Sequence, residues 1–329
     1  AGPTSLSGLQ ARLKGRLENQ AVTLETADLT GPQGLSLTAR GNAALSGDRK
    51  IDVTANLASV PVALANVFRP DLDASGAING SVTASGTIDK PNLRYDLGTT
   101  EIQTRQTRQA GVSALQMRAK GNFENGTATL EETSLTGSGG LSATATGRVV
   151  LNGASGAPAI DVNADIAALP ASLANGFVPG LDAGGIIAGK VTSTGTTEAP
   201  AIRYDLRWND LALRQTRAAG LQALQLNAAG TFEQGVANLE SVKLSGPSGV
   251  ALDAKGSVSL VGERPIDVTA NVASLPASLA NAFLPGIQTG GNITGSATAK
   301  GTMAAPALRY DLQWNDAEIR RQGTAGISG

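Results

Sequence analysis

The sequence predicts an all-β protein: an elongated, curled antiparallel sheet, a repeating β-groove, with one short helix per repeat. Three observations predict it. Long segments alternate with a period of two, as between Gly249 and Leu260. There Val250, Leu252, Ala254, Gly256, Val258 and Leu260 fall on one parity, and Ala251, Asp253, Lys255, Ser257 and Ser259 on the other. Successive strand side chains point to opposite faces, so one face is apolar and the other mostly wet. The same phrases recur three times along the chain. Finally, the apolar parity is rich in Ala and Gly, as at Ala143, Ala145 and Gly147, at Ala297, Ala299 and Gly301, and at Gly80, Ala84 and Gly86.

The repeat is explicit. IDVTANLASVPVALANVF begins at Ile51, IDVNADIAALPASLANGF at Ile160 and IDVTANVASLPASLANAF at Ile266, spacings of 109 and 106 residues. Tyr95, Tyr204 and Tyr310, each followed by Asp-Leu, keep those spacings, and Gly15, Gly121 and Gly230 mark another equivalent position. The difference of three residues falls in the longer loop 152–158. The expected organisation is one continuous array of about three repeats, roughly 1–110, 111–219 and 220–325, without separate domains. No Pro/Ser-rich or charged linker parts the copies. Both ends fall inside a repeat, so the chain is expected to be an internal length of a longer array.

The third repeat justifies each element. Leu224, Leu226, Ala228, Gly230 and Phe232 alternate and run into a Glu-Gln-Gly turn. Ala237 to Leu244 is a second strand, and Val250 to Leu260 a third. Ile266, Val268, Ala270 and Val272 alternate with Asp267, Thr269 and Asn271. Leu275 to Phe283 breaks the pattern: Ser274 is a possible cap, Pro276 lies in the first turn, and Leu275, Leu279 and Phe283 stand four apart. That predicts a helix of about two turns. Ile293 to Gly301 and Leu308 to Trp314 alternate again. Asn315-Asp316 is expected to turn the chain into a further strand from Glu318. The count expected is seven or eight antiparallel strands per repeat.

Something must cover the apolar parity. A sandwich core about 10 Å thick needs bulky side chains interdigitating from both inner faces, and Ala and Gly do not fill it. Small residues permit tight curvature and leave an open lumen, or they relieve crowding in a tight winding. The residues expected to line a groove are Leu35, Leu37, Leu45, Ile51, Val53, Ile78 and Val82 in the first repeat. In the second they are Leu141, Val149, Leu151, Ile160, Val162, Ile187 and Val191. In the third they are Leu226, Phe232, Val250, Leu252, Val258, Leu260, Ile266, Val268 and Ile293. The natural occupant of such a groove is an acyl chain, because returning one to water costs about 0.8 kcal/mol per CH₂. The helices, through Leu64 and Phe68, Leu173 and Phe177, Leu279 and Phe283, are expected either to plug the groove or to turn a corner between sheet segments.

Composition excludes several classes. There is no cysteine and no histidine, so no disulfide scaffold, no thiolate metal site and no imidazole chemistry. No catalytic, metal or cofactor site is expected. The net charge of −1 gives no basic surface for nucleic acid. No stretch of about 18 apolar residues occurs, so no segment reads as a membrane-spanning helix. Asp96, Asp205 and Asp311, and Asp52, Asp161 and Asp267, recur on the polar parity. They are expected as solvated outer-face carboxylates, the first three near Arg94, Arg203 and Arg309. Trp208 and Trp314 occupy the position of Thr99 and are expected to pack on the groove lip. A tandem β-sandwich adhesin or stalk is the competing reading: a unit of this size without cysteine is compatible with it, while the helix phrase and the missing linkers are not.

The long alternating array, with SGTIDKPNLRYDL at Ser85 to Leu97 and its echoes TGTTEAPAIRYDL and KGTMAAPALRYDL, resembles the AsmA/TamB-type proteins, and the LPASLANAF phrase resembles their alphaproteobacterial branch. The resemblance implies a taco-shaped β-groove in the periplasm of a Gram-negative bacterium. It implies anchorage to the inner membrane by a segment outside residues 1–329. It also implies passage of phospholipids between the membranes, and partnership with a TamA-like outer-membrane barrel in assembling outer-membrane proteins.

Overall fold

A computed structural model describes residues 8–321 apart from 68, 110, 114, 152–155, 177, 179, 219, 247–248 and 283–286. The chain is nearly all β, as its alternation predicts. Its strands are β1 (Gln10–Glu18), β2 (Ala21–Thr30), β3 (Ser36–Ala44), β4 (Lys50–Pro61), β5 (Ser75–Thr87), β6 (Pro91–Gln103), β7 (Gln116–Glu124), β8 (Thr127–Thr136) and β9 (Ser142–Val150). They continue as β10 (Ala159–Pro170), β11 (Gly184–Thr196), β12 (Pro200–Ala212), β13 (Leu224–Glu233), β14 (Val236–Ser245), β15 (Ala251–Ser259), β16 (Pro265–Pro276), β17 (Ile287–Thr302) and β18 (Pro306–Arg321). These 18 strands amount to six per repeat, not the seven or eight expected. The excess came from Asn315-Asp316. The pair is no turn: β18 runs through it, and one extra residue bulges against β17 between Gly290 and Asn292, with Asp316 at φ 49°.

The chain divides into two compact units, residues 1–167 with 194–198, and residues 168–193 with 199–329. The division falls within β10 and β11, inside the second repeat. In the first unit β1 to β9 pair each with the next, antiparallel throughout. In the second unit β12 to β18 do the same. Hairpins close one end of each ladder. At the other end lie the short helices: 3-10 turns Val62–Val67, Ala171–Gly176 and Ala277–Ala282, and α1 (Arg105–Gln109) and α2 (Arg214–Ala218). We call the two ends the hairpin rim and the helical rim.

The helix phrase folds differently from its prediction. Pro61, Pro170 and Pro276 end strands instead of opening helices, and the six residues after each form a 3-10 turn. A residue preceding proline is kept out of the α region, so Val60, Leu169 and Leu275 stay extended. Phe68, Phe177 and Phe283 lie outside the described residues. The helices α1 and α2, on the repeated Arg-Gln-Thr-Arg phrase, had no counterpart in the periodicity. Each is pinned by a threonine: Thr104 N–H donates to Thr107 Oγ1 at 2.8 Å, and Leu213 N–H to Thr216 Oγ1 at 2.8 Å.

Mid-strand glycines set the path of the backbone. Gly256 has φ 145°, and a Cβ there would lie 2.0 Å from the Asp267 carbonyl oxygen. Only glycine admits that approach between β15 and β16. Gly41 and Gly147 face Asp52 and Asp161 in the same way.

Candidate functional site

Register joins the apolar parity of neighbouring strands into transverse rows. In the second unit one row runs Leu206, Ala228, Val242, Ala254, Ala270, Ala297 and Tyr310, from β12 to β18. Beside it run Ile202, Phe232, Ala237, Val258, Ile266 and Gly301. In the first unit a row crosses all nine strands: Gly15, Leu24, Gly41, Val53, Ala84, Leu93, Phe123, Ala128 and Val149. Bulges add a residue where the alternation would slip, as between Leu239 and Val242, and so keep apolar opposite apolar.

The residues expected to line a groove separate into three groups by position. Leu37, Ile51, Val53, Ile78, Val82, Val149, Ile160, Val162, Ile187, Val191, Leu226, Phe232, Leu252, Val258, Ile266, Val268 and Ile293 lie within strands and are half-buried. Leu35, Leu141 and Val250 immediately precede strands at the helical rim and are buried. Leu45, Leu151 and Leu260 lie just past strand ends at the hairpin rim, about half exposed. They continue the sequence alternation but not the strands. Their N–H groups donate instead to the carbonyls of Gln20, Gly126 and Gly235 at 2.7–2.8 Å.

The helical rim is packed. In the second unit Leu211, Leu221, Leu224 and Val250 form a buried cluster, with Trp208, Leu213, Leu226, Leu244, Leu275 and Leu279 against it. Leu275 and Leu279 thus pack on the same cluster, although one lies on a strand and the other on a 3-10 turn. Leu64 and Leu173, the equivalents of Leu279, are half-buried. The Trp208 indole N–H donates to the Gly184 carbonyl at 2.8 Å, and Trp314 repeats this with Gly290 at 2.9 Å. In the first repeat Thr99 fills that position, and its hydroxyl accepts the Met117 N–H at 2.8 Å. Asn66 and Asn175 clamp the chain after each turn, each exchanging two hydrogen bonds with the backbone of Ala74 or Ala183. Asn281 accepts the Thr289 N–H at 2.8 Å. These asparagines were missed as structural residues; their signal was the invariant Leu-Ala-Asn in all three copies.

The middle of the strands is different. All buried apolar residues found in the second unit (Ala171, Ala183, Leu211, Leu221, Leu224, Val250, Val272 and Ala277) lie at its helical rim.

The polar parity carries the charges. Asp96 pairs with Arg118 across the ladder at 3.3 Å, not with Arg94; Asp161 pairs with Arg148 at 3.3 Å and Asp267 with Lys300 at 2.9 Å. Such exposed pairs contribute about 0–1 kcal/mol each. Open recesses lie on this face: one of about 550 Å³ is lined by Asn56, Asn79, Ser81, Asp96 and Arg118, and another of about 530 Å³ by Asn238, Glu240, Lys255 and Asp267. Their polar lining offers nothing to an acyl chain.

Tyr95 reaches across the apolar face. Its hydroxyl donates to the Thr129 carbonyl at 2.9 Å, over Gly121, where a Cβ would lie 2.7 Å from the phenol oxygen. Tyr204 does the same over Gly230, donating to Asn238 at 3.4 Å. Burial pushes both phenols above the ordinary tyrosine value, with Glu131 and Glu240 adding to it.

Among the described residues no group of three or more His, Cys, Asp or Glu is placed to hold a metal, and no helix is long and apolar enough to cross a membrane. No family model, curated protein or solved structure matches the chain.

Proposed function

We propose that the apolar rows shelter phospholipid acyl chains, and that the protein conducts phospholipids between the inner and outer membranes as part of a periplasmic bridge of the AsmA/TamB type. Anchorage to the inner membrane, a TamA-like outer-membrane barrel partner and support of outer-membrane protein assembly belong to the same reading. They would act through segments outside residues 1–329. One observation carries it: rows of in-register apolar side chains cross each unit only partly buried, while the fully buried apolar side chains described in the second unit lie at its helical rim. A bare apolar row is costly in water unless something covers it. A lipid tail laid along it recovers about 0.8 kcal/mol per CH₂ removed from water. The rows ask nothing of the tail but hydrophobicity, which suits a conduit better than a specific pocket.

Photocrosslinking tests this. A benzophenone side chain at Leu252, Val258 or Ile293 captures phospholipid in Gram-negative cells, and one at Lys255 or Asp253 does not. Equal labelling of both parities would remove the proposal.

A further inference from the structure

We infer that the recess around Gly98, on the polar face of the first unit, is a binding site for an uncharged saccharide.

The recess opens where two strands part. The β6–β7 ladder runs from Leu93 opposite Phe123 only as far as Gly98 opposite Arg118. Beyond that point the Met117 N–H donates to the Thr99 hydroxyl at 2.8 Å, and pairing returns only at a single bridge between Ile102 and Leu115. The equivalent β12–β13 ladder continues past Arg207 and Asn227 to Trp208 opposite Leu226 and Leu211 opposite Leu224.

Glycine deepens the opening. Gly98 holds the place that Arg207 and Gln313 hold in the other repeats. A Cβ on Gly98 would lie 2.8 Å from Asn79 Oδ1, so a longer side chain would occupy the space that Asn79 faces. The equivalent recess of the second repeat, lined by Lys190, Asp205, Arg207 and Asn227, is about 300 Å³ against about 550 Å³ here. There Arg207 Nε–H donates to the Asn227 side-chain oxygen at 3.2 Å. The larger recess lies well inside the range of about 300–1,000 Å³ that small-molecule sites occupy.

Register gathers the lining. Asn56, Ser81 and Asp96 stand opposite one another across β4, β5 and β6. Asn79, Gly98, Arg118 and Ser134 form the next row, and Gln116 with Thr136 a third. Among the described residues, the side chains of Asn56, Asn79, Ser81, Gln116, Ser134 and Thr136 make no hydrogen bond within the chain. An amide sets an acceptor beside two donors, and a hydroxyl both gives and takes a hydrogen bond. The vicinal hydroxyls of a sugar ring match that mixture, since each of them also donates once and accepts. Charge argues for a neutral guest. Asp96 and Arg118 pair with each other at 3.3 Å, so the lining carries no net charge and favours neither an anion nor a cation.

The test uses the full 329-residue chain and four tetrasaccharides. Cellotetraose, maltotetraose and N-acetylchitotetraose are neutral, and tetragalacturonate is anionic. Titration calorimetry and saturation-transfer NMR read binding. At least one neutral saccharide is expected to bind with a Kd of about 1 mM or tighter, and more tightly than tetragalacturonate. Gly98→Gln puts into the recess the residue that the third repeat carries at this place. It should weaken binding at least about tenfold with the urea midpoint unchanged. Asn79→Ala should weaken binding about fivefold, the effect of one lost hydrogen bond, and reads the same site without filling it. Asn271→Ala, at the place of Asn56 in the third repeat, should leave binding unchanged. No response to any neutral saccharide, tighter binding of tetragalacturonate, or full binding by both Gly98→Gln and Asn79→Ala would overturn the inference. So would an equal loss in Asn271→Ala. The recess lies on the face opposite the apolar rows, so its failure leaves the lipid proposal standing, and failure of lipid capture leaves this one standing.

Discussion

The helical rim and the hairpin end of the strands in the second unit are built from the same alternating sequence, yet they meet water differently. At the rim Leu224 is 1% exposed and Val250 2%. At the opposite, hairpin end, one residue before β13 and β15 finish, Phe232 and Val258 are only partly buried. The difference is in what stands opposite. Rim residues have the indole of Trp208 and a 3-10 turn bringing Leu279 down on them. Residues at the hairpin end have in-row neighbours such as Ala237 and Ile266. Close packing holds the helical rim; register holds the hairpin end.

Truncating each region sharpens the contrast. Leu224→Ala removes the most buried side chain of the cluster and is expected to cost about 2–5 kcal/mol. Ile266→Ala is expected to cost less, about 1 kcal/mol, because its partly exposed side chain leaves no closed cavity. Urea unfolding of both variants checks this, and equal costs would erase the distinction.

Charge does the reverse of truncation. Val258→Asp puts a carboxylate where water already reaches, so the circular dichroism spectrum and urea midpoint should change little, while lipid capture falls to the level of a polar-face probe. A variant that unfolds would mean that this end is as dry as the helical rim.

The tyrosine ties give a pH dependence. Tyr95 and Tyr204 hold their protons more tightly when folded than when unfolded, because burial disfavours the phenolate. Their stabilisation is full below the unfolded tyrosine value of about 10 and is lost as pH rises through the shifted titration. Urea midpoints should therefore decline in alkali, and Tyr95→Phe with Tyr204→Phe should flatten the decline while costing about 1 kcal/mol per hydrogen bond at neutral pH.

The smallest effect concerns Thr133. Its hydroxyl is buried without a hydrogen-bond partner among the described residues, in a row between Ala119 and Ala145. Val242 occupies this place in the third repeat. Thr133→Val should raise stability by about 1 kcal/mol, read as a higher urea midpoint.

Much of this was legible in the sequence, and the failures share a cause. A period of two reports which side of a strand a residue takes, so the faces of Val258 and Lys255 followed directly. It does not report where hydrogen bonding stops. Leu45, Leu151 and Leu260 keep the rhythm but lie beyond their strands. Asn315-Asp316 has the composition of a turn, and only its register with Asn292 makes it a bulge. The proline of the helix phrase was given the role it has in α-helices, whereas its restriction on the preceding residue decided the outcome. The Tyr–Gly junction was in plain view as two repeated positions, but its meaning lay in pairing Tyr95 with a glycine of the next repeat.

Cysteine scanning tests the central claim most directly, since no native thiol interferes. Single cysteines at Leu224, Val258, Ile266 and Lys255 are alkylated in water and again with phospholipid vesicles. The account predicts that Leu224→Cys is protected in both, that Lys255→Cys reacts in both, and that Val258→Cys and Ile266→Cys react in water but are protected once lipid is present. Val258→Cys and Ile266→Cys as slow as Leu224→Cys before lipid is added, or as fast as Lys255→Cys afterwards, would contradict it.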